Sequence, residues 1–149
     1  MASKLSNEEL RAWQALLHAH HEISRRLDAE LRRDHDLSLA DYDILLRLAN
    51  TADGLSMSEL AARVLATPST LTRRVDGLAS AGLVARRRSE RDSRVLLARL
   101  TADGRRILRR AAVTHVRGIR QHFTSRLSDA QLKDVAAALE GISGQHVPH

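Results

Sequence analysis

The sequence predicts a mainly α-helical fold with a small antiparallel β element, and three observations support that prediction. Apolar residues recur at helical spacing over long stretches near both ends of the 149-residue chain. In the middle, Thr67-Pro68 is a typical helix start and Gly82 a typical helix end. Two short apolar segments then flank a polar, arginine-rich loop, which is the pattern of a β hairpin. A chain of this length forms one subunit with a single sizeable core.

The composition indicates the class of partner. The formal net charge is +6, which favours a polyanion such as nucleic acid. Proteins that bind single strands or read RNA stack bases on aromatic side chains, and this chain has only Trp13, Tyr42 and Phe123. Double-stranded DNA is therefore the expected partner.

Several function classes are disfavoured. The chain has no cysteine, which excludes disulfides and thiolate metal sites. No stretch approaches the roughly 18 apolar residues of a membrane span, and the N-terminus lacks a secretory signal, so we expect a cytoplasmic protein with no membrane partner. Nucleophile-elbow, phosphate-loop and zinc-protease motifs are absent, so we expect neither an enzyme nor a cofactor.

The first helix is predicted to be long. Asn7 is a candidate N-cap, followed by Glu8 and Glu9, which interact favourably with a helix N-terminus. Apolar residues then continue at helical spacing for roughly 25 residues, until His35-Asp36 interrupts the pattern. A helix this long in so small a protein is typical of a subunit interface.

A second helix is predicted from Leu39 to Asn50, with Ser38 as its N-cap and Asp41 as the acid of a capping-box-like start. The turn that follows leads to a short pairing strand at Ser56 or Met57.

Two further helices, separated by a tight turn, predict a helix-turn-helix. The first is Ser58 to Val64. The second is capped by Thr67 and ends at Gly82. Its apolar residues recur at helical spacing and are expected to point inward; they are Leu71, Val75 and Leu78.

Two strands follow, Leu83–Arg86 and Val95–Leu100, joined by the polar loop 87–94. Thr101 is the expected N-cap of another long helix, which reaches about Leu127. A last helix is expected from Ala130 to Ile142, with Ser128 as its cap.

Particular motifs connect this pattern to a known family. The hairpin carries Asp92-x-Arg94, and Leu100-Thr101 and Gly104-Arg105 follow it in order. With Leu60-Ala61 and the segments 69–73 and 82–84, these motifs make the chain resemble MarR-family transcriptional regulators. The resemblance implies a winged helix-turn-helix at 38–102 and a helical dimerisation region at 5–36 and 103–144. It further implies a homodimer that binds a pseudo-palindromic operator in double-stranded DNA, and repression relieved by a small ligand, although some members activate.

The candidate DNA-binding residues lie on the second helix of the helix-turn-helix and on the hairpin, or wing. Hydroxyls and arginines at the start of such a helix can contact bases and phosphates. In the wing, the resemblance implies that Arg94 enters the minor groove and that Asp92 pairs with an arginine, for which Arg94 is the nearest candidate. A solvated polar face is the alternative for each surface. The full set is Ser69, Thr70, Thr72, Arg73, Arg74, Arg88, Arg91, Asp92 and Arg94.

The candidate effector site is less well defined. Ligand pockets in the family lie between the dimerisation helices and the DNA-binding domain, so the resemblance suggests a small aromatic or anionic effector near Trp13, Leu17, Tyr42 and Asp43. These residues could instead belong to the core or to a subunit interface. A urate-like ligand is disfavoured, because Asn50 occupies the position at which resemblance to urate-responsive members of the family implies an arginine.

Two alternative functions remain open from the sequence. Imidazole groups suit zinc, and His18, His21 and His115 are weak candidates for a metal-responsive regulator. The chain could also be an architectural DNA-binding protein, which would coat DNA broadly rather than protect one short site.

Overall fold

The computed structural model describes residues 4–64 and 66–144. Its helices are α1 (Asn7–His35), α2 (Leu39–Ala49), α3 (Met57–Val64), α4 (Pro68–Ser80), α5 (Ala102–His122) and α6 (Asp129–Ser143), with a 3-10 turn at Thr124–Arg126. The strands are β1 (Leu55–Ser56), β2 (Val84–Arg88) and β3 (Leu96–Leu100), which form an antiparallel sheet in the order β1-β3-β2. The predicted fold class, mainly α with a small antiparallel wing, is confirmed.

The N-cap of α1 is Ser6, so the prediction of Asn7 was wrong by one residue. The Ser6 hydroxyl accepts a hydrogen bond from the Glu9 N–H at 3.2 Å, and the Glu9 carboxylate accepts one from the Ser6 N–H at 2.7 Å. This reciprocal capping box satisfies two backbone donors, whereas Asn7 lies inside the helix. The predicted end is confirmed: α1 stops at His35, and Asp36 takes a left-handed conformation with φ of 52°.

The predicted caps of the two central helices are confirmed. The Ser38 hydroxyl accepts the Asp41 N–H at 3.0 Å, and the Thr67 hydroxyl accepts the Thr70 N–H at 3.4 Å. At the end of α4, Gly82 has φ of 75°, and the Leu83 N–H donates to the Leu78 carbonyl at 3.0 Å. This Schellman motif turns the chain from α4 directly into β2.

The wing strands are displaced from their predicted bounds. The structure extends β2 to Arg88 and starts β3 at Leu96, so the connection between them is residues 89–95. Arg87 and Arg88 pair with Leu97 and Leu96 across the ladder. Their polarity suggested a loop, but β2 is an edge strand, where charged side chains reach water without breaking the pairing.

The C-terminal helices differ from prediction at two ends. The α5 helix ends at His122 rather than near Leu127, because the Arg126 N–H bonds to the Phe123 carbonyl at 3.1 Å in a tighter 3-10 turn. Thr124 and Ser125 are weak helix formers, which favours that change. The predicted cap Ser128 is confirmed by a capping box with Gln131, and α6 begins at Asp129.

The chain forms two compact units. One takes in the chain up to Arg26 together with residues from Val116 onward, and the other is Leu27–His115. Both unit boundaries fall inside helices, one within α1 and the other within α5.

The buried apolar core lies in the Leu27–His115 unit, where it holds the helix-turn-helix against the sheet. Its most fully buried large side chains are Leu31, Ile44, Leu45, Leu48, Leu60, Leu71 and Val75. In the described part of the chain, no helix is long and apolar enough to cross a membrane.

Candidate nucleic-acid interface

The α4 helix has one buried face and one exposed polar face. Leu71, Val75 and Leu78 are buried, as the sequence predicted. Ser69 and Arg73 lie on the exposed side, in the N-terminal half of the helix. Within residues 4–64 and 66–144, the Arg73 side chain has no hydrogen-bond or ion-pair partner, so it is available to a ligand outside the chain.

The two threonines of α4 are held by local hydrogen bonds. The Thr67 hydroxyl donates to the Thr70 hydroxyl at 2.9 Å, and the Thr72 hydroxyl donates to the Pro68 carbonyl at 2.9 Å. Both hydroxyl oxygens keep acceptor capacity, and Thr72 is exposed. The first turn of α4 therefore presents fixed polar groups rather than freely rotating ones.

Arg74 lies in a different environment from its neighbour Arg73. Its side chain is 37% exposed, and its guanidinium lies 3.4 Å from the Asp41 carboxylate of α2. The sequence contained a signal for this: Arg74 is three residues after Leu71 and four before Leu78, on the same stripe of the helix as the apolar side chains.

In the wing, the structure identifies Arg94 as the partner of Asp92, which the sequence left open. The Arg94 guanidinium donates to both carboxylate oxygens, at 3.1 and 3.2 Å, and the Arg94 N–H donates at 3.0 Å. These hydrogen bonds, first from the side chain and then from the backbone, lower the pKa of the Asp92 carboxyl. The Arg94 side chain nevertheless remains 88% exposed. Asp92 thus orients an accessible guanidinium at the tip of the wing.

Of the other wing arginines, some form contacts within the chain and one does not among the described residues. Arg87 pairs with Glu90 at 2.6 Å, and Arg88 donates to the Ser93 carbonyl at 2.8 Å, so both hold the connection between the strands. Arg86 contacts Asp76 of α4, which joins the wing to that helix. Arg91 is exposed and has no side-chain partner in the described part of the chain. The Arg86–Asp76 contact was missed, because no local sequence pattern relates an acid in a helix to a strand ten residues later.

One threonine and one glycine fix the junction between α4, the wing and α5. The Thr101 hydroxyl donates to the Gly82 carbonyl at 2.7 Å and accepts the Gly104 N–H at 3.0 Å. A Cβ at Gly104 would lie 2.1 Å from the Leu83 carbonyl oxygen. The Leu-Thr-x-x-Gly motif is therefore explained by packing: the Thr101 hydroxyl bonds to the end of α4, and the absence of a Cβ at Gly104 allows α5 to start beside it.

The four candidate effector residues are distributed over both units. Trp13 and Leu17 are exposed on α1, at 54% and 47%. Tyr42 is buried at 4% exposure, and its ring packs on His115 with centroids 4.5 Å apart. Asp43 pairs with Arg47 at 3.3 Å.

Burial controls the ionisation of this aromatic pair. Desolvation raises the pKa of Tyr42, and the nearby Asp43 charge adds to the effect. Desolvation lowers the pKa of His115, while the Asp43 charge opposes that shift. Both groups are therefore held in their neutral forms.

The histidines give no assembled metal site in the described ranges. His18 and His21 are exposed on α1, and His115 packs on Tyr42. Among residues 4–64 and 66–144, no three side chains of the types that ligate metals lie together.

Comparison with known proteins gives a consistent result. The model of the MarR family matches residues 35–95. The HTH-type transcriptional repressor Rv2887 of Mycobacterium tuberculosis is 35% identical over 104 residues, which are 70% of this chain and 73% of that protein. AbsC, a MarR family transcriptional regulator from Streptomyces coelicolor, is 30% identical with a TM-score of 0.89, over 96% of this chain and 97% of that one. Sco3205, a MarR family regulator from the same organism solved in complex with DNA, is 31% identical with a TM-score of 0.90, over 96% and 90% of the two chains.

Proposed function

The chain belongs to the MarR family of transcriptional regulators, and on that premise we propose that it is a repressor that binds a pseudo-palindromic operator as a homodimer. The observation that carries the proposal is that the chain has two suitable surfaces: the exposed polar start of α4, and a wing in which Asp92 orients Arg94. Related proteins named as repressors support the direction of regulation.

Each polar residue of the interface has a distinct role in this proposal. Ser69, Thr70, Thr72 and Arg73 contact bases and phosphates in the major groove, since they lie at the end of α4 that a helix-turn-helix directs into DNA. Arg94 enters the minor groove, where the negative potential attracts a guanidinium, and Asp92 keeps it in position. Arg88 and Arg91 contact phosphates beside the groove.

Unpartnered apolar surface supports the homodimer. Leu10, Trp13 and Leu16 on α1 are each more than two-fifths exposed, and so are Leu139 and Ile142 on α6, a helix with no buried residue. Exposed apolar side chains at this density are typical of an interaction surface. A two-fold dimer then places two copies of α4 about one helical turn of DNA apart, roughly 34 Å.

A small aromatic or anionic effector regulates binding in this proposal. Its candidate contacts are Trp13, Leu17, Tyr42 and Asp43; in the single chain Trp13 and Leu17 are exposed, whereas Tyr42 is buried. Because two recognition helices must be in register with DNA, a small change in their separation is enough to release the operator. The repressor acts in the cytoplasm.

Footprinting on the DNA that flanks its own gene tests the DNA-binding proposal. We expect protection of one short inverted repeat, with two protein chains bound for each repeat, and a dimer by size-exclusion chromatography with light scattering. Broad protection without a preferred site would instead indicate an architectural protein. A monomer that protects a single half-site would overturn the dimer.

A ligand screen tests the regulatory proposal. Thermal-shift measurements with phenolic acids, other small aromatics and divalent metals should identify a compound that stabilises the chain and also releases the operator. If a divalent metal raises the thermal midpoint and a chelator reverses that increase, the histidine-based alternative is favoured over an organic effector.

A further inference from the structure

Two adjacent arginines on α4 have opposite surroundings. Arg73 is exposed without a partner in the described part of the chain, whereas Arg74 is half-buried against α2 and paired with Asp41. Consecutive helical residues are separated by about 100° of rotation, so the two side chains leave α4 in different directions. The Arg74 guanidinium, in contact with Asp41, is directed toward α2 rather than outward with Arg73.

Arg74 faces two acids, from two helices. Asp41 lies in the first turn of α2, 3.4 Å from the guanidinium. The positive charge of Arg74 also acts on Asp28 of α1. The Asp28 carboxylate accepts a hydrogen bond from the Leu39 N–H at 2.8 Å and pairs with Arg32 at 2.7 Å. Burial opposes ionisation of Asp28, but these hydrogen bonds and charges outweigh it and keep the pKa of its carboxyl below the ordinary value. Asp28 is thus ionised at neutral pH, and its charge adds to the contact that Asp41 makes with Arg74.

A second ion pair holds α4 on its other flank. Asp76, two residues after Arg74, contacts Arg86 of β2. In one ion pair α4 provides the cation and α2 the acid; in the other α4 provides the acid and the wing the cation. Since Arg74 and Asp76 pair with different elements, the two contacts together restrict rotation of α4 about its own axis.

We propose that Arg74 is a positioning residue for DNA recognition: through Asp41 it fixes the rotation of α4, and so directs the face with Ser69 and Arg73 toward the bases. This inference rests on the proposed function of α4 as the recognition helix. It assigns Arg74 a role different from that of its neighbour, although both are arginines on one helix. The consequence is that Asp41, an acid that touches no DNA, supports operator binding.

The test measures operator and random-DNA affinity at several salt concentrations for Arg74→Gln, Asp41→Asn and the double variant. Removal of an acid near DNA ordinarily strengthens binding, because its repulsion of phosphate disappears. Asp41→Asn is instead expected to weaken operator binding about threefold to fivefold, the effect of a partly exposed ion pair. Arg74→Gln should do the same, and the double variant should be no weaker than either single variant, because the two residues act as one unit.

Salt dependence and a matched control separate positioning from direct contact. Arg74→Gln should leave the slope of affinity against salt unchanged and random-DNA affinity within about twofold. Arg73→Gln should instead lower the slope by about 0.9 for each phosphate that the guanidinium neutralises. Arg74→Lys, which keeps the charge, should restore part of the operator affinity. Thermal midpoints confirm that each variant is folded.

Two results would overturn the inference. One is a lower salt slope in Arg74→Gln together with unchanged or stronger operator binding in Asp41→Asn, which would make Arg74 a phosphate contact. The other is an equal loss of operator and random-DNA affinity in both single variants. Failure of the wild-type chain to protect any operator would instead refute the proposed function itself.

Discussion

Replacement of Arg94 by alanine tests the wing most directly. The side chain is 88% exposed, and its contacts are the hydrogen bonds to Asp92, so its removal leaves the core untouched. We expect the folded state and the dimer to persist. Operator binding should fall, because in the proposed complex the substitution removes a guanidinium from the minor groove at each wing.

The size of that effect follows from the proposed two-fold assembly. One specific arginine interaction contributes about 1–3 kcal/mol, and about 1.4 kcal/mol corresponds to tenfold in affinity. Since the substitution acts on both subunits of a dimer, a weakening of about tenfold at each wing becomes on the order of hundredfold for the complex. The salt slope should fall by up to about 1.8, or 0.9 for each charge removed.

Fluorescence anisotropy with a labelled operator, at several salt concentrations, measures both quantities. Arg106→Ala is the matched control, since Arg106 is 63% exposed and pairs locally with Asp103 at 2.8 Å, as Arg94 does with Asp92. The control should bind as the wild type does. Wild-type operator affinity in Arg94→Ala would refute the assignment of the wing to DNA binding. Dissociation of the dimer in this variant would show that Arg94 belongs to the subunit interface.

Three further predictions concern recognition, packing and pH. Arg73→Ala should reduce the ratio of operator to random-DNA affinity in a competition assay; an equal loss of both would make Arg73 a phosphate clamp instead. Gly104→Ala should destabilise the fold by about 1–3 kcal/mol in chemical denaturation, because its Cβ would lie 2.1 Å from the Leu83 carbonyl, whereas Gly77→Ala, with open space, should stabilise α4 by about 0.4–1 kcal/mol. His115 has a pKa below the ordinary 6.5 when folded, so the unfolded chain takes up the proton first and stability should fall as pH drops below 6.5. His115→Gln should lessen that fall in the denaturation midpoint, and an unchanged pH profile would contradict the burial of the imidazole.

Local chemistry explains which elements the sequence predicts well. The caps at Ser38, Thr67 and Ser128 depend on side chains that bond to the backbone N–H three residues later, so a short segment contains all the information. The errors occur where local signals compete. Both Ser6 and Asn7 are good N-caps, and only the reciprocal bond with Glu9 selects Ser6.

The bounds of the wing depend on contacts that are distant in sequence. Arg87 and Arg88 are compatible with a loop or an edge strand, and the ladder with Leu97 and Leu96 decides between them. Strand pairing brings together residues about ten positions apart, and no single segment encodes it.

The sequence by itself determined the order of helices and strands, the helix-turn-helix and the family, because capping, periodicity and motif spacing are local properties of the chain. Only the tertiary structure decided what the charged side chains touch. Arg73 and Arg74 are identical in type and adjacent in sequence, yet one is exposed and the other pairs with Asp41, because the Arg74 side chain leaves α4 on the side where the first turn of α2 lies. The electrostatic role of an arginine depends on the acids within a few ångströms of it, and those acids come from elements that only folding brings together.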